Sequence, residues 1–96
     1  MHFGERIRKL RESQGLLQRQ LAASLEIDTP MFSKIERGER KAKREQVELL
    51  ASLLHANLSD LLRIWLADQI IDLVKDEPQA SEALKTALKE IKKDEH

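Results

Sequence analysis

Apolar residues recur along this chain at helical intervals, and every strong periodic signal reads as α-helix. Phe3, Ile7 and Leu10 form the first stripe, which ends at Gln14 and Gly15. Gly15 fits the position just past a helix, where the backbone must turn left-handed. A short helix from about Gln18 turns Leu21, Ala22 and Leu25 inward. After a tight turn, Asp28 is placed to cap a third helix, which buries Phe32 and Ile35 and stops at Gly38. A fourth, near 44–54, carries Val47, Leu50, Ala51 and Leu54. The fifth starts at Asn57, with Asp60 completing a capping-box-like pair, and runs to about Lys75. In "DEPQ", Asp76 is expected to cap the last helix, with Pro78 in its first turn and Gln79 bonding back. The stripe of that helix is Ala80, Ala83, Leu84, Ala87, Leu88 and Ile91.

Composition narrows this to an all-α domain with an appended helical element. The 96 residues are 41% apolar, yet only Phe3, Phe32 and Trp65 are aromatic. A core of Leu, Ile, Val and Ala at this charge density suits packed helices. There is no cysteine, hence no disulfide or thiol chemistry. No apolar run approaches the ~20 residues of a membrane span. "MHFGERIRKL" lacks the apolar stretch of a signal peptide. The expectation is a soluble, cytoplasmic protein with no membrane association. His2, His55 and His96 are scattered without metal-ligand spacing. The carboxylate pairs Asp76-Glu77 and Asp94-Glu95 fall at helix ends and read as caps or tail. No catalytic constellation is legible, so neither enzyme chemistry nor a cofactor or metal is expected.

Charge changes the picture more. The formal net charge is zero, but it is unevenly spread. Residues 1–44 hold 11 Lys/Arg against 6 Asp/Glu, and residues 45–96 hold 6 against 11. Such polarity attracts an anionic partner to one half only. Arg37, Arg40, Lys41, Lys43 and Arg44 cluster between the third helix and the first turn of the fourth. Lys43 takes the N-cap position, where Lys is typically ~1 kcal/mol worse than Ser or Asp. Cations there also oppose the helix dipole, each by ~0.3–1 kcal/mol. Selection for stability alone would place Ser or Asp at this point. A bound phosphate would account for the cations, and a solvated basic loop is the other reading.

A short helix, tight turn and second short helix within a small helical domain is the helix-turn-helix arrangement. "RIRKLRESQGLLQRQLAASLEIDTPMFSKIERGERK" resembles the phage-repressor and Cro-like helix-turn-helix regulators, also called the XRE family. The landmarks are Arg11, Gln18, Leu21-Ala22 and Ile35-Glu36-x-Gly38, and "LLASLLHANLSDLL" resembles the closing helices. The likeness covers roughly residues 3–62. It implies sequence-specific binding of double-stranded DNA, with Thr29, Pro30, Ser33 and Lys34 at the base-reading positions. Lys34 can donate to guanine O6 and N7, and Thr29 and Ser33 can bond donors or acceptors. Pro30 has no polar reach, which departs from the usual residue there. The resemblance assigns Gln18 to a phosphate, beside the basic segment Arg37, Arg40, Lys41, Lys43 and Arg44. It also makes Arg11 and Glu36 a structural pair. Two further departures are Leu17 where helix two usually has a Ser or Thr cap, with Gln20 still able to reach back, and His55 where Gly is usual.

The C-terminal third falls outside the likeness. A division into a DNA-binding domain, 1–62, and a dimerisation extension, 63–96, continuous with helix five, follows. Leu66, Ile70, Leu73 and Val74 form a stripe that so small a domain cannot cover, and Ile71 lies on another. Leu84 and Leu88 on the last helix offer a matching stripe. Apolar surface of this kind marks association, most commonly as a symmetric homodimer. The expected function is a homodimeric regulator, a repressor or autoregulator, with a restriction-modification control protein as the best fit in size. The alternatives are an antitoxin with a partner protein, and an interaction adaptor that uses the fold without reading DNA.

Overall fold

A computed structural model describes residues 2–95, so His96 lies outside it. It contains α1 (His2–Ser13), α2 (Gln18–Ser24), α3 (Thr29–Glu36), α4 (Arg44–Leu53), α5 (Leu58–Val74) and α6 (Ala80–Asp94), with no strand among the described residues. α1 packs on α3 and α5, α2 on α3, and α4 on α5. Phe32 is fully enclosed at their centre, with Ile7, Ile35, Val47, Leu50 and Leu61 around it. Each such side chain contributes ~1.5–3 kcal/mol on leaving water. Gly4 lets α1 and α3 touch. A Cβ there would meet the Ile35 carbonyl oxygen at 2.5 Å and the Glu36 carbonyl carbon at 2.8 Å.

The first four helices all stop in one way. The residue after the terminal turn is left-handed, and the next N–H reaches back to a carbonyl five positions earlier, the Schellman arrangement. The left-handed residues are Gly15 (φ 68°), Glu26 (φ 59°), Gly38 (φ 76°) and His55 (φ 54°). The closing bonds are Leu16 N–H to Arg11 O (3.1 Å), Ile27 to Ala22 (3.0 Å), Glu39 to Lys34 (2.9 Å) and Ala56 to Ala51 (2.9 Å). Starts are also locally specified. The Asp28 carboxylate accepts the Met31 N–H at 2.7 Å, and the Asn57 side chain accepts the Asp60 N–H at 2.9 Å. Gln20 accepts the Leu17 N–H at 2.7 Å, so its reach-back replaces half of the missing cap.

The last helix departs from the expectation. It begins at Ala80, with Gln79 at the cap position and no side-chain cap bond, so neither Asp76 nor the Gln79 side chain caps it. Lys75 to Gln79 are spent on the turn that closes α5, where Glu77 N–H bonds Val74 O at 2.9 Å. Pro78 stiffens this turn instead of opening the helix. Every α6 residue after Ala80 is exposed. At the opposite end, the α5 residue Asp68 is buried and accepts the main-chain N–H groups of Phe3 (2.9 Å) and His2 (3.2 Å). It serves as a cap for α1 supplied from a distant part of the chain.

Candidate nucleic-acid interface

α2 and α3 are the two short helices of the arrangement, joined by residues 25–28. α3 has two faces. Phe32, Ile35 and Glu36 are buried, while Thr29, Pro30 and Lys34 are exposed and Ser33 and Met31 half-exposed. Thr29 and Ser33 stand one turn apart, as do Pro30 and Lys34, so the four base-reading candidates form one surface row. Lys34 makes no ion pair among the described residues, and its ammonium is free to donate.

Glu36 anchors the inner side. Its carboxylate is buried and holds the Arg11 guanidinium through Nε at 2.7 Å and Nη2 at 3.1 Å. Arg11 Nη1 also donates to the Leu16 carbonyl at 3.0 Å, tying α1, α3 and the first turn together. The Glu36 bonds hold the guanidinium pKa above its ordinary value, against the opposing effect of burial. Gln18, at the start of α2, donates to Glu36 Oε1 at 2.8 Å. Its second amide hydrogen remains for an outside acceptor.

Arg37, just past α3, donates through Nη1 to Ser33 Oγ at 2.6 Å and through Nε to Glu39. The bond to Glu39 raises the Arg37 pKa, and the same bond lowers that of the Glu39 carboxylate. Arg11, Gln18, Ser33 and Arg37 line one open groove between α1 and α3. Arg8 and Glu5 of α1 line it too, as does Glu39. Sequence reasoning did not single out these three, because their sign of charge alone does not tell them from other solvated residues.

Of the basic segment only Arg37 lines that groove, and Arg40, Lys41, Lys43 and Arg44 lie outside it. Arg40, Lys41, Lys43 and Arg44 are exposed, but Ala42 among them is buried in the core. The Trp65 Nε1–H donates to the Ala42 carbonyl at 2.8 Å. Lys43 caps α4 with no side-chain bond, and the Gln46 side chain accepts its N–H at 2.8 Å. Cations therefore do stand at the positive end of α4 without a side-chain cap, beside the Glu45 carboxylate of its first turn.

The apolar candidates of the C-terminal third are open to solvent in the single chain. Leu66, Ile70 and Ile71 are 46%, 46% and 44% exposed, Leu73 78%, Leu84 40% and Leu88 50%. Val74 is half-buried.

The helix-turn-helix domain family matches residues 2–63. The chain belongs to that family. It is also 36% identical over 62 residues to an HTH-type transcriptional regulator, DdrOP3, of Deinococcus deserti, covering 65% of this chain and 48% of that protein. The chain thus spans about half the length of this curated relative. No solved structure matches. Two side chains beyond the helix-turn-helix match, Trp65 and Asp68, bond back into the matched part. No helix among the described residues is long and apolar enough to cross a membrane.

Proposed function

We propose that the protein is a transcriptional regulator that binds double-stranded DNA as a homodimer. The observation that carries this is the two-sided α3. Its inner face is locked by Phe32, Ile35 and the Glu36–Arg11 pair, leaving the row Thr29, Pro30, Ser33 and Lys34 presented to solvent. A rigid helix whose outer row carries Thr29 and Lys34 at the surface, with the half-exposed Ser33 hydroxyl held by Arg37, suits the major groove. Lys34 reads guanine, and Thr29 and Pro30 pack on thymine methyl groups. Gln18, Arg37, Arg40, Lys41, Lys43 and Arg44 contact phosphates. The family and the relative from Deinococcus deserti support the same reading.

The dimer forms through Leu66, Ile70, Ile71, Leu73 and Val74 of α5 and Leu84 and Leu88 of α6. Two recognition helices then meet half-sites about 34 Å apart on a pseudo-palindrome. Within this class we favour a repressor or autoregulator such as a restriction-modification control protein. An antitoxin is the second reading, favoured by the Ala-rich α6, exposed from Ser81 onward, as a surface for a partner protein. Selection of bound sequences from a randomised duplex library tests the proposal. A two-fold symmetric motif supports DNA reading and the dimer together. No enrichment would shift weight to an interaction adaptor that keeps the fold without reading DNA.

A further inference from the structure

Residues 39–43 lie outside the helices, and this stretch carries three of the proposed phosphate contacts, Arg40, Lys41 and Lys43. Long cationic side chains on free backbone lose much of their binding strength to disorder, because each must be ordered on contact. This stretch is not free. Ala42 is 1% exposed and plugs into the core between its charged neighbours. Its carbonyl is held by the Trp65 indole at 2.8 Å. One helical turn further along α5, Gln69 bonds the Trp65 carbonyl at 3.3 Å and lies 3.5 Å from the Lys41 ammonium.

Resting on the DNA-binding reading above, we infer that Trp65 is the positioning residue of the phosphate-contacting segment, acting through its N–H bond to Ala42. Trp65 itself touches no DNA. It fixes the backbone from which Arg40, Lys41 and Lys43 project, so these cations meet the phosphates without first being ordered. A tryptophan here needs a partner for its N–H when buried, and the main-chain carbonyl of the basic segment is the partner it has. The indole sits on α5, past the end of the family match at residue 63. The domain's own extension, and not the shared helix-turn-helix, thus sets this part of the surface.

The test uses the full chain and a short fluorescein-labelled duplex of random sequence, since phosphate contacts are indifferent to sequence. Binding is measured by anisotropy across a salt series for the wild type and Trp65→Phe. The phenyl ring keeps most of the packing and loses the donor. A benzothienylalanine at position 65 keeps the bicyclic shape and lacks only the N–H, and it decides the matter if the phenylalanine variant folds poorly. We expect affinity at low salt to fall about tenfold and the log–log salt slope to flatten by ~1–2, with helicity and dimer mass unchanged. A merely structural role would leave the slope of the folded protein untouched. Wild-type slope and affinity in a folded benzothienylalanine protein would overturn the inference. If the wild type itself binds no duplex at low salt, the DNA-binding reading fails instead. Trp65 is the single tryptophan of the chain, so its emission reports the segment directly. Emission that stays in place on adding duplex is expected of a segment already held, and a large shift would show that it rearranges on binding and would count against the inference.

Discussion

The Asp68 carboxylate accepts the Phe3 main-chain N–H at 2.9 Å, so the first helix is capped by a residue 65 positions away. A division of the chain at residue 62 passes through α5 and separates these two groups. Asp68→Ala leaves the buried end of α1 without its acceptor. A loss of ~1–3 kcal/mol follows from an unsatisfied buried donor. Chemical denaturation checks it, with hydrogen exchange showing the opening concentrated in the first turn of α1. A chain cut after residue 63 lacks both Asp68 and Trp65, and should unfold at lower denaturant than the full chain even where it stays monomeric.

The Arg11–Glu36 pair has only 11% and 3% of its side-chain surface exposed. At that burial, removing one partner strands a charge. Glu36→Ala should cost ~3–5 kcal/mol, against well under ~1 kcal/mol for an exposed pair. Gln18 loses its acceptor as well. Equilibrium unfolding of Glu36→Ala, Arg11→Ala and the double variant measures the coupling. Strict additivity of the two single losses would contradict a direct pair.

Left-handed backbone at a residue other than Gly costs roughly 1–2 kcal/mol, and two of the four helix stops use such residues. His55 and Glu26 are both exposed, so their side chains leave little packing behind. His55→Gly should stabilise the fold by ~0.5–1 kcal/mol, after the added freedom of glycine in the unfolded chain is subtracted. Thermal unfolding should show a midpoint raised by a few degrees. Gly38→Ala should move it the other way, because its φ of 76° suits glycine.

Lys34 and Glu39 should separate reading from attraction. Lys34→Ala is expected to relax preference at one base pair per half-site, costing ~1–3 kcal/mol there. Glu39→Gln removes the carboxylate that now neutralises Arg37. Affinity should then rise on every duplex alike, with a salt slope steeper by ~1. Library selection reads the first effect and a salt titration the second. Unchanged preference in Lys34→Ala would remove that residue from the reading row.

Ile70 is 46% exposed in the single chain and lies within the proposed dimer surface. Ile70→Asp places a charge where a partner would bury it. Sedimentation should change from a two-chain to a one-chain mass at micromolar concentration, with helix content retained. A wild type that sediments as one chain would end the dimer proposal.

The helices were legible because their information is local. Periodic apolar positions marked all six helices, and Asp28, Asn57 and Gln20 signalled starts within three residues of the N–H groups they serve. α6 shows the limit of local rules. "DEPQ" satisfies the pattern of a helix start, but the same residues are also the only link between α5 and α6, and the turn takes them. Glu26 carried no sign of its left-handed backbone, since its conformation is imposed by the stop of α2. Asp68 and Trp65 read as one more helical charge and one more core aromatic. Their roles depend on which distant main-chain groups the fold brings to α5, and periodicity carries no such distance. Gly4 was silent for the same reason, because its need arises from the approach of α3.

α5 holds the basic segment through Trp65 and α1 through Asp68, and two residues past Asp68 it presents Ile70 to solvent. A straight helix advances about 100° and 1.5 Å per residue. Deleting Gln69 would thus rotate everything beyond it by a little over a quarter turn, while leaving both anchors in place. In the proposed dimer, that rotation swings one recognition helix around the other. The phase of a single helix would then determine the spacing of operator half-sites, and a regulator could acquire a new spacing without altering any residue that touches a base.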